Sequence, residues 1–396
     1  MTIDELRVAL ETYLSPLLSA EVRHGTVPCS ANSKLVASLE PCSIAIKAQD
    51  GDEERIVLYR KPGFTPEELV LTKDFIEELV AIHDATTPAY RAEIFTFLPS
   101  RAIARHLGGL GAVTSILRQF DLWSARTYEG GAISSSIGVD PASVGKDTDL
   151  DEIFAHDFSA VISNGFDTLI VVNSDGQISG AGQLNGNQLG LDFAPYRLNA
   201  IADWSAGNKI ALVLNRLGEQ LVFRNRKLVF AKRRGAWQYY AHEMYIRQLQ
   251  PPQDRELREA IYQSCLDISF SRTGGCILVI RSGGIDEASK LVSSADFLYG
   301  DAPSVKAKAI RAMVSDKFQD LDRRLRQEIL ALDGATVLDH KGNIIAAGAI
   351  ISVPAGSEGG GRTAAAKKGS TLGLGIKISE DGGITVFKDS NRVFGA

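Results

Sequence analysis

Along the C-terminal third of the chain, apolar residues recur three or four positions apart: Ile310, Met313, Val314, Phe318, Leu321, Leu325, Ile329 and Leu332. That spacing is one buried helix face, so a single helix is expected from about Ser304 to Leu332, delivering the chain into Asp333. Two other helices are marked by their first turns. Thr2 to Glu5 and Thr65-Pro66-Glu67-Glu68 read as capping boxes, the second with proline at the first helical position. A fourth helix is expected from Arg255 to about Asp267, just past a boundary at Gln250-Pro251-Pro252-Gln253. Elsewhere short apolar runs alternate with turn residues, the pattern of strands. Residues 42–48 and 55–60 flank AQDGDEE, Leu169 to Val172 leads into NSDG, and Lys209 to Leu214 precedes two more short strands. The stretch SIGVDPASVGKDTDLDE, residues 136–152, is rich in small and acidic residues and is expected to be a linker or long surface loop.

One pattern occurs twice. DTLIVVNSDGQISGAG from Asp167 matches DGATVLDHKGNIIAAG from Asp333, with the same spacing to Gly176 and Gly342 and then to Gly182 and Gly348, at an offset of 166 (333 − 167). Farther on, Arg197, Ala200 and Ser205 are mirrored by Arg362, Ala365 and Ser370, and VFRNRKLVF by VFKDSNRVF, where the offset has become 164 (387 − 223). Shared order over so many positions indicates an internal duplication, hence two related α/β units. Upstream, LEPCSIAIKAQDG around Cys42 looks like RTGGCILVIRSGG around Cys276, at a different separation.

Composition narrows the classes. The 396 residues are 44% hydrophobic and 23% charged, as expected of a folded protein of two or three domains. A net charge of -5 argues against a general nucleic-acid or anionic-membrane binder, which needs a basic excess. No run approaches the roughly 18 apolar residues of a membrane span. MTIDELRVALETYL carries acidic residues where a secretory leader has basic ones, so a cytoplasmic protein is expected. Cys29, Cys42, Cys265 and Cys276 are scattered, without a C-x-x-C pair, and are expected as buried or idle thiols; the six histidines show no metal-ligand spacing. GGLGAV, from Gly108, is too short for a dinucleotide fingerprint, and no P-loop or G-x-S-x-G pattern occurs.

Three segments of the second unit resemble the diadenylate cyclase (DAC) domain, which joins two ATP molecules into cyclic di-AMP. FSRTGGCILVIRSGG, from Phe270, is similar to the family's R-x-G-A-L-I-V-I strand. LDGATVLDHKGNIIAAGAIIS, from Leu332, is similar to its D-G-A motif and hairpin. GGGRTAAAKKGS followed by IKISEDGGITVF is similar to its G-T-R-H-R-A-A motif and V-S-E-E-T-G-G strand end.

The resemblance implies an α/β fold with a mixed sheet flanked by helices, in two tandem divergent repeats. Residues 1–150 would be a sensor-like α/β region, 151–250 a degenerate repeat that can form one unit with it, and 251–396 the nucleotidyltransferase domain. It implies catalytic roles for Asp333, Gly334, Ala335 and Arg362. Gly275, Cys276, Ile277, Leu278, Gly360, Gly361, Thr363, Lys367 and Ser379 would line the nucleotide, and Asp333 and Glu380 would hold Mg2+ or Mn2+. In that reaction the 3'-hydroxyl of one ATP attacks the α-phosphorus of another, so two sites must face each other and a homo-oligomer is implied. The other reading is a catalytically inactive nucleotide sensor on the same fold.

Physical chemistry agrees with several of these roles. An arginine suits a bidentate grip on phosphate, and Gly359, Gly360 and Gly361 ahead of a helix would expose backbone N–H groups to it. Gly334 allows close approach of the chain to a nucleotide. Glu380-Asp381-Gly382-Gly383 is equally the composition of a plain hairpin turn. Where the family has R-H-R this chain has Arg362-Thr363-Ala364, so two cations are missing; Lys367 and Lys368 either substitute or cover an exposed helix face. The first repeat keeps Asp167 and Arg197 but has D-T-L for D-G-A and FAPY before its arginine. Its basic stretch from Arg224 to Arg234 reads as a solvated ribbon, with an anion or partner surface as the alternative.

Overall fold

The computed structural model describes residues 1–30, 34–47, 53–185, 193–283, 285–301, 303–314, 316–353 and 360–395; the turn expected at 48–52 and the candidate Gly359 lie outside them. The chain forms two compact units, Met1–Asp192 with Arg197–Ala241, and Phe193–Tyr196 with His242–Ala396. No helix among the described residues is long and apolar enough to cross a membrane.

The first unit begins with helix Ile3–Ala9 and its complete Thr2/Glu5 capping box. A sheet follows, of β1 (Glu21–Val22), β2 (Val27–Pro28), β3 (Val36–Glu40), β4 (Ser43–Ile46) and β5 (Glu54–Tyr59), ordered β1-β5-β4-β3 with β2 also on β5. Helix Pro66–Ala85 starts at the second complete capping box. Its Glu68 has a further task. Arg60, at the end of β5 and 6% exposed, donates to both Glu68 oxygens at 2.6 and 2.9 Å and to the carbonyls of Leu18, Pro62 and Gly63. All five guanidinium N–H groups are thereby used, which makes burial of the charge tolerable.

After a small ribbon of β6 (Thr127–Tyr128) and β7 (Gly131–Ala132) comes a seven-stranded sheet: β8 (Ser135–Val139), β9 (Thr168–Val172), β10 (Ile178–Gln183), β11 (Ile210–Leu214), β12 (Gln220–Arg224), β13 (Lys227–Arg233) and β14 (Ala236–Tyr239), in the order β10-β9-β8-β11-β12-β13-β14. The second unit holds six strands: β15 (Gly275–Ile280), β16 (Ala335–Asp339), β17 (Ile344–Ala349), β18 (Gly373–Ile378), β19 (Ile384–Lys388) and β20 (Asn391–Gly395), in the order β17-β16-β15-β18-β19-β20. Apart from β14 the two orders are the same, and each sheet has one parallel pair, β8 with β9 and β15 with β16.

The register makes the duplication specific to single residues. Ile137 pairs with Ile170 and Leu212, while Ile277 pairs with Thr336 and Ile376, at the offsets read from sequence. Ser205 Oγ donates to the Ala202 carbonyl and accepts the Arg226 N–H at 3.1 Å; Ser370 Oγ donates to Lys367 and accepts the Ser390 N–H at 2.9 Å. Both serines are fully buried, and each ties a helix end to a two-residue turn of left-handed residues, Asn225-Arg226 or Asp389-Ser390. Bulk is exchanged between the repeats: Trp204 covers Gly138, and at the equivalent positions Leu278 lies against Gly369.

Three expectations are corrected. The start of the segment read as a surface loop, residues 136–139, lies in the wholly buried strand Ser135–Val139 inside the sheet, because Gly138 makes room for Trp204 and the serines bond inward, Ser136 to the Thr168 carbonyl. The counterpart of the strand around Cys276 is therefore β8; the strand at Cys42 belongs to the first sheet. The long helix is broken into Val305–Met313 and Arg323–Leu330. Val314 turns extended, Phe318 plunges fully buried into the core from a short 3-10 turn, and Asp322 caps the second helix. The basic stretch is substantially neutralised within its own unit, with Lys232 on Asp121, Arg233 on Glu219 and Arg226 on Asp203.

Glu68→Gln should leave Arg60 buried without its counter-charge and cost about 3–5 kcal/mol. The expected readout is a large fall in the urea midpoint followed by circular dichroism, whereas Lys73→Ala, in the exposed pair with Glu77, leaves the midpoint nearly unchanged.

Candidate functional site

The parallel pairing of β15 with β16 brings the starts of both strands, Gly274-Gly275 and Asp333-Gly334, to one sheet edge. β17 and β18 run the other way, so their ends, Gly348-Ala349 and Ser379-Glu380, arrive at the same edge. Helix Gly361–Gly369 packs on β15 and β18 and begins there, with Gly360 at its N-cap at φ 80°. Residues more than a hundred positions apart in sequence thus share one rim.

Gly334 is required by its surroundings. Its φ is 108°, and a Cβ would stand 2.6 Å from the Gly348 carbonyl carbon. Gly348 is also left-handed, at φ 60°, with its own Cβ position 3.0 Å from the Asp333 carbonyl oxygen. The two backbones meet through a second bulge, between Ala335 and Val337, that the β9–β10 hairpin lacks. Bulges re-aim side chains at such edges. Asp333 is exposed, and its carboxylate has no hydrogen-bond or ion-pair partner among the described residues. In the first repeat Asp167 is held by the Asn164 amide at 2.6 Å, and Thr168 stands where Gly334 does.

Arg362 lies in the first turn of its helix, where backbone N–H groups lack an i−4 carbonyl within the helix. Its Nη1 donates to Glu380 Oε1 at 2.8 Å, and it sits over Gly274, whose Cβ would be 2.5 Å from Nη1. Gly274, at φ 68°, is therefore the seat of the guanidinium. Glu380 occupies the turn after β18, is 71% exposed, and is engaged by Arg362. Thr363 is half-buried beside Arg362. Ser379 is committed to that turn through Asp381 and the Gly383 carbonyl.

The strand residues form the wall. Gly275, Cys276, Ile277 and Leu278 are all buried; Leu278 packs beneath Gly369, and Ala335 belongs to the same apolar cluster as Cys276. Burial pushes the Cys276 thiol up to about 12, with the Arg362 charge pulling the other way. Lys367 is not brought to the rim with Arg362: its ammonium lies 5.9 Å from the centre of the Phe387 ring. Lys368 lines a separate cavity of about 420 Å³ with Glu287, Lys290 and Leu291.

Among the described residues no group of three or more His, Cys, Asp or Glu could hold a metal ion. The unpartnered Asp333 carboxylate fits Mg2+ or Mn2+ only in the manner of ions held by one or two carboxylates together with ligand phosphates and water. Sequence reasoning gave no role at the site to Gly274, Gly348 or Lys306. The first two were signalled by the Gly-Gly before a buried strand and by the repeat's second glycine. Lys306, whose Nζ donates to the Gly348 carbonyl at 2.6 Å, had no signal, because its helix was read as part of a longer one.

No family model and no curated protein matches the chain. Among solved structures, a protein from Bacillus cereus described as a hypothetical membrane spanning protein aligns with 39% of this chain and 70% of its own, at 19% identity and a TM-score of 0.29. A double mutant of DacA from Staphylococcus aureus aligns with 35% of this chain and 84% of its own, at 18% identity and a TM-score of 0.25.

Gly334→Ala should lower the thermal midpoint and disorder the rim, whereas Gly361→Ala, with nothing among the described residues within 4 Å of its Cβ position, should leave the midpoint unchanged. Cys276 should react with a thiol reagent only on unfolding. An unfolded thiol ionises from about pH 8.5, so the stability that this raised thiol contributes is complete below that pH and declines as pH rises toward the folded value. Cys276→Ala should flatten that decline in urea unfolding measured between pH 7 and pH 10.

Proposed function

We propose that the second unit binds ATP at this rim and that the chain is a diadenylate cyclase-like nucleotidyltransferase, condensing two ATP into cyclic di-AMP. The observation that carries the reading is the convergence of Asp333-Gly334, Arg362 and Glu380 on one sheet edge, at the N-terminus of helix Gly361–Gly369. Arg362 and the first-turn amides would hold phosphate oxygens, orienting the α-phosphorus, while the positive end of the helix dipole adds to the attraction. Asp333 would accept the proton of the attacking 3'-hydroxyl. The new P–O bond then forms as the bond to pyrophosphate breaks, and a second, reciprocal attack closes the ring. Mg2+ or Mn2+, held by Asp333 and by Glu380 once it is released from Arg362, would neutralise phosphate charge and acidify the hydroxyl.

One rim offers one set of these groups, so two copies facing each other are part of the proposal, in a cytoplasmic homo-oligomer. The first repeat is a poor second half, since its Asp167 is tied down and its glycine is Thr168. Thr363-Ala364, in place of two cations, and the Arg362–Glu380 pair favour the second reading, a nucleotide sensor without turnover.

The test is incubation of the full chain with ATP and Mg2+ or Mn2+, with products read by mass spectrometry and ATP binding by calorimetry. Cyclic di-AMP with pyrophosphate is expected, falling roughly a hundredfold in Asp333→Asn, as for loss of a group acting in the transition state. ATP binding without any nucleotide product under either metal would overturn the enzyme and leave the sensor; absence of ATP binding would overturn both.

A further inference from the structure

We propose that Lys306 is a second anion-binding cation of this rim, contacting the polyphosphate of the nucleotide from the side opposite Arg362; the proposal rests on the nucleotide reading above. Lys306 stands in the first turn of helix Val305–Met313. Its Nζ donates to the Gly348 carbonyl at 2.6 Å and lies 3.1 Å from Asp296 Oδ1, while the side chain stays 43% exposed. An ammonium has three N–H donors; two are used, and the third is uncommitted among the described residues.

Gly348 fixes where that donor is. Its Cβ position is 3.7 Å from Lys306 Nζ and 3.0 Å from the Asp333 carbonyl oxygen, so the ammonium and the Asp333 backbone are no farther apart than those two distances combined. Gly274, beneath Arg362, immediately precedes β15, and Gly348, beside Lys306, lies in β17, the strands on either side of the one that Asp333 leads into. Neighbouring strands are about 4.8 Å apart. The glycines beside the two cations are therefore about two strand spacings, roughly 10 Å, apart on either side of the strand that Asp333 leads into, a span within reach of an extended polyphosphate.

The other cations near the rim are already engaged. Arg362 shares its charge with Glu380, Thr363 and Ala364 supply none, and Lys367 is over Phe387. Asp296 is 14% exposed, and its other oxygen is 3.4 Å from the Ile350 N–H, so it holds the lysine in place while withdrawing part of its charge.

Binding to the full chain would be measured by calorimetry with ATP, with inorganic tripolyphosphate and with adenosine. Lys306→Gln should weaken ATP and tripolyphosphate roughly tenfold, the loss of one charge-assisted hydrogen bond, and leave adenosine unchanged. Lys306→Arg should retain most of the affinity, and Asp296→Asn should tighten tripolyphosphate. If Lys306 only clips Gly348 to Asp296, Lys306→Gln lowers the thermal midpoint and affects adenosine and tripolyphosphate alike, which overturns the proposal. Unchanged ATP affinity in Lys306→Gln, with loss in Arg362→Ala, overturns it while sparing the nucleotide reading. Unchanged ATP affinity in Arg362→Ala and Asp333→Asn as well overturns the nucleotide reading itself.

Discussion

The parallel pairing of β15 with β16 is the constraint on which the candidate site depends. A parallel pair needs a long crossover, here the segment from Arg281 to Gly334 that carries helices Val305–Met313 and Arg323–Leu330. Only that pairing puts the beginnings of two consecutive sheet strands side by side, bringing Gly274 next to Asp333-Gly334. Had the strands been joined as an antiparallel hairpin, Asp333 would lie at the far edge from Gly274 and Arg362. The same crossover delivers Lys306 to Gly348, so what looks like a connection also furnishes the rim.

The two repeats show which parts of such a unit are architectural and which are chemical. Sheet order, register, the buried Ser205 and Ser370 staples and the left-handed turns are common to both. The exchange of Gly138 under Trp204 for Leu278 against Gly369 keeps helix and strand in contact while moving the bulk from one to the other. Packing density tolerates such compensated changes when total volume is kept. At the rim the repeats part: the second bulge, the Gly334–Gly348 contact and the unpartnered Asp333 occur in the second unit, and Asn164 occupies Asp167 in the first.

Legibility in the sequence followed the range of the interactions concerned. Thr2 with Glu5 and Thr65 with Glu68 are local, and both capping boxes are present as read. The β16–β17 hairpin was legible because its turn and glycines recur at one offset. The strand at Ser135–Val139 was not, since its serines and glycine resemble a loop until Trp204 and the Thr168 carbonyl are in place. The break in the long helix escaped for a related reason. Phe318 and Leu321 keep the apolar spacing, yet Phe318 reaches the core from a 3-10 turn that Asp322 then closes.

By itself, then, the sequence determined the duplication, the principal strands and the residue types that meet at the candidate rim, because periodicity, caps and turn glycines act within a few residues of one another. Tertiary structure alone decided which strand is central, that Gly274 seats Arg362, that Glu380 is bound to that arginine, and that Lys306 stands beside Gly348. Each of these is a contact between segments distant along the chain, set by strand direction and by the space glycines leave, and neither quantity is written in any local pattern of residues.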